Sequence, residues 1–381
     1  MTYTDSTIVS EINIDYNKLL QGRYEAEFLP NDFSPERIVP DFGFNILNRL
    51  GLLYRPIVDE NYLAQGGKKP VWPEGKPFAV CLTHDVDHVT LHSLKQSIRS
   101  RSTRLLNATD RLKTLQVGIG YGKDVIKASM HINKKDPLHC YERWLDAEAS
   151  IGARSTFFFW PGWSHVTKKH ISDCEYDLSD MILFAGRKMS VSEMIKEIDR
   201  QGWEIGLHPS WYSFDNLNEL KKQKDALERV LGHDIVSVRQ HYLHYDIRVT
   251  PKIHDEAGFA YDSTLGFNDN VGFRFGTCYP WKLYNLQQEA QLNIVEVPLI
   301  VQEGAMLRRD KGLRLDNITS FKYVKQITES VKNVGGVLTI LWHPTAIMNQ
   351  DWWGLYSAVL EYLKGENAYI GSIAEIMKAF E

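Results

Sequence analysis

The chain lacks most of the features that mark several large protein classes. Its four cysteines, Cys81, Cys140, Cys174 and Cys278, stand far apart with no CxxC pair, which argues against a zinc knuckle or a disulfide framework. Cys81 lies inside an apolar run and reads as a buried strand residue. No apolar stretch reaches bilayer-spanning length. The start, Met1-Thr2-Tyr3-Thr4-Asp5, has no basic segment followed by an apolar one, so a cytoplasmic location without a transmembrane segment is expected. A surplus of one charge is missing too: a net charge of -4 and a pI near 6.4 give no global attraction to nucleic acid or membrane, and no nucleic-acid partner is expected.

What the chain does have is length, apolar content and aromatic rings. Its 381 residues, 43% hydrophobic, suffice for one large barrel or two ordinary domains. Aromatics at 12% suit a cleft that stacks ring-shaped ligands, although core packing uses most aromatics in any fold. Pro30, Pro35, Pro40, Pro56, Pro70, Pro73 and Pro77 break the first part into short pieces. Residues 1–77 are therefore expected to form an N-terminal extension packed on the main domain, 78–381.

From Phe78 onward short apolar runs recur: Phe78 to Leu82, Ser155 to Phe159, Trp203 to Leu207, Ile235 to Val238, Phe259 to Tyr261, Ile294 to Val297, and Val337 to Leu341. These read as buried strands. Segments with helical spacing lie between them, among them a capping box at Ser190-Val191-Ser192-Glu193 and a helix from Leu217 to Leu231 that stops at Gly232. Tyr141 to Ile151, Pro251 to Glu256 and Tyr323 to Val334 continue the alternation. The pattern predicts an α/β fold, a distorted parallel (β/α) barrel of about seven strands.

The densest chemistry follows the first run, in Thr83-His84-Asp85-Val86-Asp87-His88. Alternate strand residues share a face, so Asp85 and Asp87 are expected on one side and His84 and His88 on the other. Two neighbouring carboxylates repel. A divalent metal bound by one of them, with the other left free as a base, offsets that repulsion; the plainer reading is a solvated strand end with a helix-capping Asp. Barrel enzymes place working residues at the C-terminal ends of strands, and several runs here end in polar groups: His208-Pro209-Ser210-Trp211-Tyr212, Arg239-Gln240-His241-Tyr242, Asp262-Ser263-Thr264 and His343-Pro344.

In order and type, these motifs resemble the polysaccharide deacetylases of the NodB-homology type, the family 4 carbohydrate esterases, over about Phe78 to Pro344. The first motif has the Asp-x-Asp form. The resemblance implies that Asp85 is the general base, Asp87 and His208 are metal ligands, Arg239 orients the base and His343 is the general acid. It also implies that Tyr242 offers its backbone N–H to the developing oxyanion. Asp262, hydrogen-bonded to the His343 ring, would fix its tautomer. The implied cofactor is a divalent metal, Zn²⁺ first, and the implied partner an acetylated sugar or glycan intermediate.

The sequence departs from the family pattern at the second histidine ligand, where Tyr212 stands. His241, two residues beyond Arg239 and on the same face if the strand continues, is the first substitute, ahead of His88; a Tyr212 phenolate remains open. Trp160, Trp163, Trp211, Tyr212, Trp342, Trp352 and Trp353 gather near the strand ends and suit stacking on sugar rings.

An insertion at 89–135 is different in kind. Leu91, Leu94, Ile98, Leu105, Leu112 and Leu115 follow helical spacing, among Lys95, Arg99, Arg101, Arg104, Arg111, Lys113, Lys123 and Lys127. The plainer reading is a helix packed beside its own barrel, able to cover the cleft as a lid. A basic amphipathic helix also suits an anionic membrane surface or a phosphorylated substrate.

The leading expectation is a metal-dependent hydrolase that removes an N-acetyl or O-acetyl group from a carbohydrate, a precursor of surface polysaccharide. The alternative is a catalytically degenerate barrel that binds glycan or a partner protein. A glycosidase fits poorly, because Asp85 and Asp87 are too close in the chain to flank a scissile bond.

Overall fold

The computed structural model describes residues 14–29, 45–91, 93–106, 136–310 and 312–380. In chain order the strands are β1 (Ala79–Val86), β2 (Thr156–Phe159), β3 (Met181–Phe184), β4 (Arg187–Ser190), β5 (Glu204–Leu207), β6 (Ser237–Val238), β7 (Tyr261–Asp262), β8 (Trp281–Asn285), β9 (Ala290–Glu296), β10 (Leu299–Gln302), β11 (Val337–Leu341) and β12 (Tyr369–Gly371). Ten of them make one sheet in the order β10-β11-β1-β2-β5-β6-β7-β9-β8, with β12 pairing the first half of β1. β3 and β4 form a separate antiparallel hairpin.

Within the large sheet every pairing is parallel except β8 with β9. Parallel strands covered on both faces read as continuous apolar runs, and β1 is buried at all of its positions. β9 lies near one end of the sheet and β10 at the other, yet only Val297 and Pro298 separate them in sequence. Two residues span only about 10 Å. The sheet must therefore curl until its two sides nearly meet, which gives a distorted α/β barrel.

All seven expected runs lie in or overlap strands of this sheet. β10 is an additional strand beyond those runs: Pro298 marks a break after Val297, and past it the chain crosses to the opposite side and pairs with β11. Ser190 caps its helix as expected, its Oγ accepting from the Glu193 N–H while Glu193 accepts from the Ser190 N–H. Gly206 has a packing role: a Cβ there would stand 2.5 Å from the Phe158 ring, and Phe158 in turn lies beneath the Arg239 guanidinium.

The described parts of the extension touch the segment after β7. Asp59 accepts from the Thr277 hydroxyl at 2.6 Å and the Cys278 N–H at 2.7 Å. Glu25 pairs with Arg274, and Leu47 and Leu53 share a core cluster with Phe267. Among the described residues no helix is long and apolar enough to cross a membrane.

The described part of the insertion packs on the protein, as the plainer reading expects, but through polar contacts. Its described helix, Leu94–Leu106, is tied down by polar residues: Gln96 and Thr103 are buried, and Arg99 pairs with Asp180 and donates to the Glu175 carbonyl at 3.0 Å. Ile98 and Leu105 point outward. Leu112, Leu115, Arg111, Lys113, Lys123 and Lys127 lie outside the described residues.

Candidate functional site

The cleft opens at the C-terminal ends of the strands. It measures about 380 Å³ and is lined by Asp85, Asp87, His88, His208, His241, Tyr242, Leu243, Asn268, Gln302, Glu303, Gly304, Arg308, Leu341, His343, Thr345 and Trp352. Ladder hydrogen bonds run into the site and fix its residues in register: His208 N–H donates to the Phe159 carbonyl at 2.8 Å, and Arg239 N–H to the Leu207 carbonyl at 3.0 Å. The end of β1 is held from two sides. The Tyr176 hydroxyl donates to the Val86 carbonyl and the Tyr141 hydroxyl to the His88 carbonyl, bracketing Asp87.

Asp87, His208 and His241 converge. Asp87 Oδ1 lies 3.4 Å from His208 Nε2 and 3.5 Å from His241 Nδ1, and the two ring nitrogens are 2.9 Å apart. On the far side of each ring a backbone carbonyl fixes the proton: His208 Nδ1 donates to the Arg239 carbonyl and His241 Nε2 to the Ser172 carbonyl, both at 2.7 Å. A carbonyl can only accept, so both neutral rings turn bare lone pairs toward each other and toward a carboxylate. Lone pairs in that arrangement repel unless a cation or a shared proton stands among them. Burial, then the neighbouring His208, pushes the His241 pKa down to about 4. Against the same burial, Asp85 and Asp87 raise that of His208. Burial alone would raise Asp87, but the three histidines around it hold its carboxyl well below the usual range.

Of the alternative third ligands, His88 lines the cleft but lies outside this cluster. Tyr212 is turned away, its ring covered by the Lys168 ammonium. His84 is on the opposite face of β1, as alternation requires; its Nε2 meets Glu148 Oε1 and its Nδ1 the Trp342 carbonyl, both at 2.6 Å.

Asp85 is buried beside this cluster and bound to Arg239. Arg239 Nη1 donates to Asp85 Oδ1 at 3.2 Å and to Thr83 Oγ1 at 2.7 Å, while Nε and Nη2 hold the Ser263 carbonyl and hydroxyl, each at 2.7 Å. A guanidinium fixed at so many points can turn only one edge to Asp85. Tyr242 and Leu243 follow with φ of 58° and 52°, two successive non-glycine residues in the left-handed region. That strain is held by Gln240, whose N–H donates to Thr264 Oγ1 at 3.0 Å and whose side chain donates to the Ser210 carbonyl at 2.8 Å.

The expectation for Asp262 fails. Its carboxylate is fully buried, binds His254 Nδ1 at 2.7 Å and receives the Thr264 N–H and hydroxyl; it does not line the cleft. Strand alternation explains this, because Ser263 takes the face toward Arg239 and Asp262 the opposite one. The residue beside His343 is Glu303, just beyond β10. Its Oε1 lies 2.7 Å from His343 Nδ1 and accepts the His343 backbone N–H at 3.0 Å. Burial would lower the His343 pKa, but Glu303 and then Asp87 and Asp85 outweigh it and push the value up to about 10. His343 Nε2 opens on the cleft, 3.7 Å from Asp87 Oδ2. Glu303 escaped sequence analysis although a signal existed: Leu299-Ile300-Val301 runs into Gln302-Glu303 as the other strands run into their polar ends.

Most of the aromatics are structural. Trp160, Trp211 and Trp342 are buried and Trp353 packs on Trp144; of the aromatics named from sequence for stacking, Trp352 alone lines the cleft.

No family model matches the chain, and no curated protein matches it. Solved structures do. A protein of Mycobacterium smegmatis assigned as a polysaccharide deacetylase is 18% identical, with a TM-score of 0.53 over 82% of this chain and 93% of its own. The PuuE allantoinase matches at 13% identity and a TM-score of 0.50 over the same shares. A protein of Pseudomonas aeruginosa PAO1 assigned as a polysaccharide deacetylase matches at 13% and 0.50, again over 82% and 93%. At these identities the likeness is one of fold, and the activities it includes differ. The match over 82% of this chain and 93% of each of theirs gives it the fold of these polysaccharide deacetylase and allantoinase structures, consistent with its curled, mostly parallel sheet.

Proposed function

We propose that the chain is a member of the polysaccharide deacetylase family and a metal-dependent hydrolase that removes an N-acetyl or O-acetyl group from a carbohydrate. The observation that carries this reading is the pair of carbonyl-locked imidazoles, His208 and His241, whose lone pairs meet over Asp87. One carboxylate and two imidazoles leave open positions for water and substrate, and they suit Zn²⁺ before harder cations. A cation held there would polarise the acyl carbonyl and acidify the water beside it.

The protein's own groups would do the rest. Asp85, kept outside the ligand cluster and anchored by Arg239, accepts the proton of the attacking water. On an amide substrate His343 Nε2 donates a proton to the amine nitrogen as the C–N bond breaks, so acetate and a free amine leave. Glu303 supports the imidazolium and aims the ring. The rigid turn at Tyr242 presents backbone at the cleft wall, consistent with an oxyanion contact. A surface-polysaccharide intermediate is the proposed substrate, supported by the resemblance and by the ring-sized cleft with Trp352.

The test is metal analysis of the purified protein joined to acetate release from N- and O-acetylated oligosaccharides, before and after chelation. Activity lost on chelation and restored by Zn²⁺ is the expected result. A protein that binds no metal sinks the proposal; one that binds metal but releases no acetate from any acetylated glycan leaves a binding barrel instead.

A further inference from the structure

We propose that the helix Leu94–Leu106 docks on an anionic lipid bilayer. Among its described side chains the usual arrangement of a surface helix is reversed. Its polar residues Gln96 and Thr103 are 7% and 4% exposed against the protein, whereas Ile98 and Leu105 are 42% and 50% exposed, and Leu91 just before the helix 41%. Ile98 and Leu105 are one heptad apart and so lie within about 20° of each other around the axis. Lys95 and Arg101 flank Ile98 at about 60° on either side.

The charge names the occupant. The helix carries four basic residues, Lys95, Arg99, Arg101 and Arg104, and no acidic one. Asp180 engages Arg99, and Glu175 faces Arg101 and Arg104, so a positive surplus remains. A second copy of this chain would bring like charge against like charge. A soluble phosphate would make no use of an aliphatic stripe. An anionic bilayer takes both features, with aliphatic side chains at the acyl boundary and cations among the headgroups.

The site's position gives docking a consequence. The helix follows β1 directly, and His88, between the two, lines the cleft. A bilayer under the helix would lie beside the cleft mouth, where a sugar on a lipid carrier is presented. That consequence rests on the proposed hydrolase reading; the docking does not.

Sedimentation of the full chain with phosphatidylcholine vesicles, with and without phosphatidylglycerol, tests it. Binding is expected only with phosphatidylglycerol, weakening as salt rises. Lys95→Gln should lower partitioning about fivefold, the effect of one charge at such a surface. Ile98→Glu with Leu105→Glu should abolish binding while circular dichroism, thermal unfolding and turnover of a soluble substrate stay as in the parent. No binding to either vesicle, equal binding to both, or unchanged binding by the double variant overturns the proposal. So does a parent dimer that the double variant dissolves, since the stripe would then serve a second copy.

Discussion

His84 and His343 make almost the same contact. Each ring nitrogen faces a buried glutamate, Glu148 at 2.6 Å and Glu303 at 2.7 Å. Their surroundings separate them. His84 and Glu148 are fully buried, and the second ring nitrogen of His84 is spent on the Trp342 carbonyl. His343 keeps 23% of its side chain exposed and turns its second nitrogen into the cleft. A third pair, His254 with Asp262, follows the first: both residues are buried, and His254 Nε2 reaches Gln240. A histidine–carboxylate pair is therefore no sign of catalysis in itself. It becomes a proton donor only where one nitrogen is left over at a surface that a substrate can reach.

The largest effect on turnover per folded molecule is expected at the base, which neither kind of pair supplies. Asp85→Asn keeps the shape and a contact for Arg239 but cannot accept a proton near neutral pH. A loss of about 10²–10⁴-fold in acetate release with unchanged metal content is expected. Retained activity would move the base elsewhere; loss of metal would place Asp85 among the ligands.

Next come the ligands, where histidine has lone pairs to offer and no carboxylate shares its ring proton. His208→Ala and His241→Ala should each deplete bound metal in elemental analysis, while Tyr212→Phe should leave it unchanged. Metal retained by His241→Ala would remove the third ligand proposed here.

How much of this could be read from the chain follows the same division. The strands and Asp85, Asp87, His208, Arg239 and His343 were legible because apolar runs ended in polar clusters and strand alternation fixed their faces. His241 was expected from parity on a continuing strand, but β6 ends at Val238 and a short 3₁₀ turn, His241–Leu243, brings it to Asp87 instead. What stayed hidden were the partners, which depend on strand order: Glu303 reaches His343 because β10 pairs with β11 at one end of the sheet. Asp262 was misplaced for a local reason: alternation turns Ser263 toward Arg239 and Asp262 toward His254, on the face away from the cleft. The facing of the helix Leu94–Leu106 stayed hidden as well, because spacing shows an apolar stripe but not which way it turns.

Glu303→Gln should sharpen the comparison directly. The amide keeps a polar contact to His343 but loses the charge that raises its pKa, so a smaller loss, about 10–100-fold, is expected. The protonated ring is the active acid, and its raised pKa keeps it protonated up to about 10. The basic limb of the rate profile should therefore shift to lower pH in this variant. Asp262→Asn should lose at most a few-fold through the Gln240–Thr264 contacts and leave that limb in place. A limb that moves with Asp262 and not with Glu303 would reverse the assignment.

The smallest effect on turnover is expected at the pair that resembles the catalytic one most. Glu148→Gln should leave turnover per folded molecule and metal content unchanged, because Glu148 and His84 lie behind β1 with no path to the cleft. Stability should fall instead. Glu148 holds His84, the Trp203 indole N–H at 2.7 Å and the Tyr356 hydroxyl at 2.9 Å, and breaking one side of a buried pair costs about 3–5 kcal/mol. The pH dependence has a defined sign. Burial alone would raise the Glu148 pKa, but His84 and the hydrogen-bond donors outweigh it and lower it. Its stabilisation is thus fully present above the unfolded carboxylate range and lost as pH falls through the lowered value. Denaturant unfolding across acidic pH should show this loss in the parent and a flatter profile in Glu148→Gln. A variant that kept its stability but lost turnover would place the His84 pair in the reaction and undo the distinction between the two faces of β1.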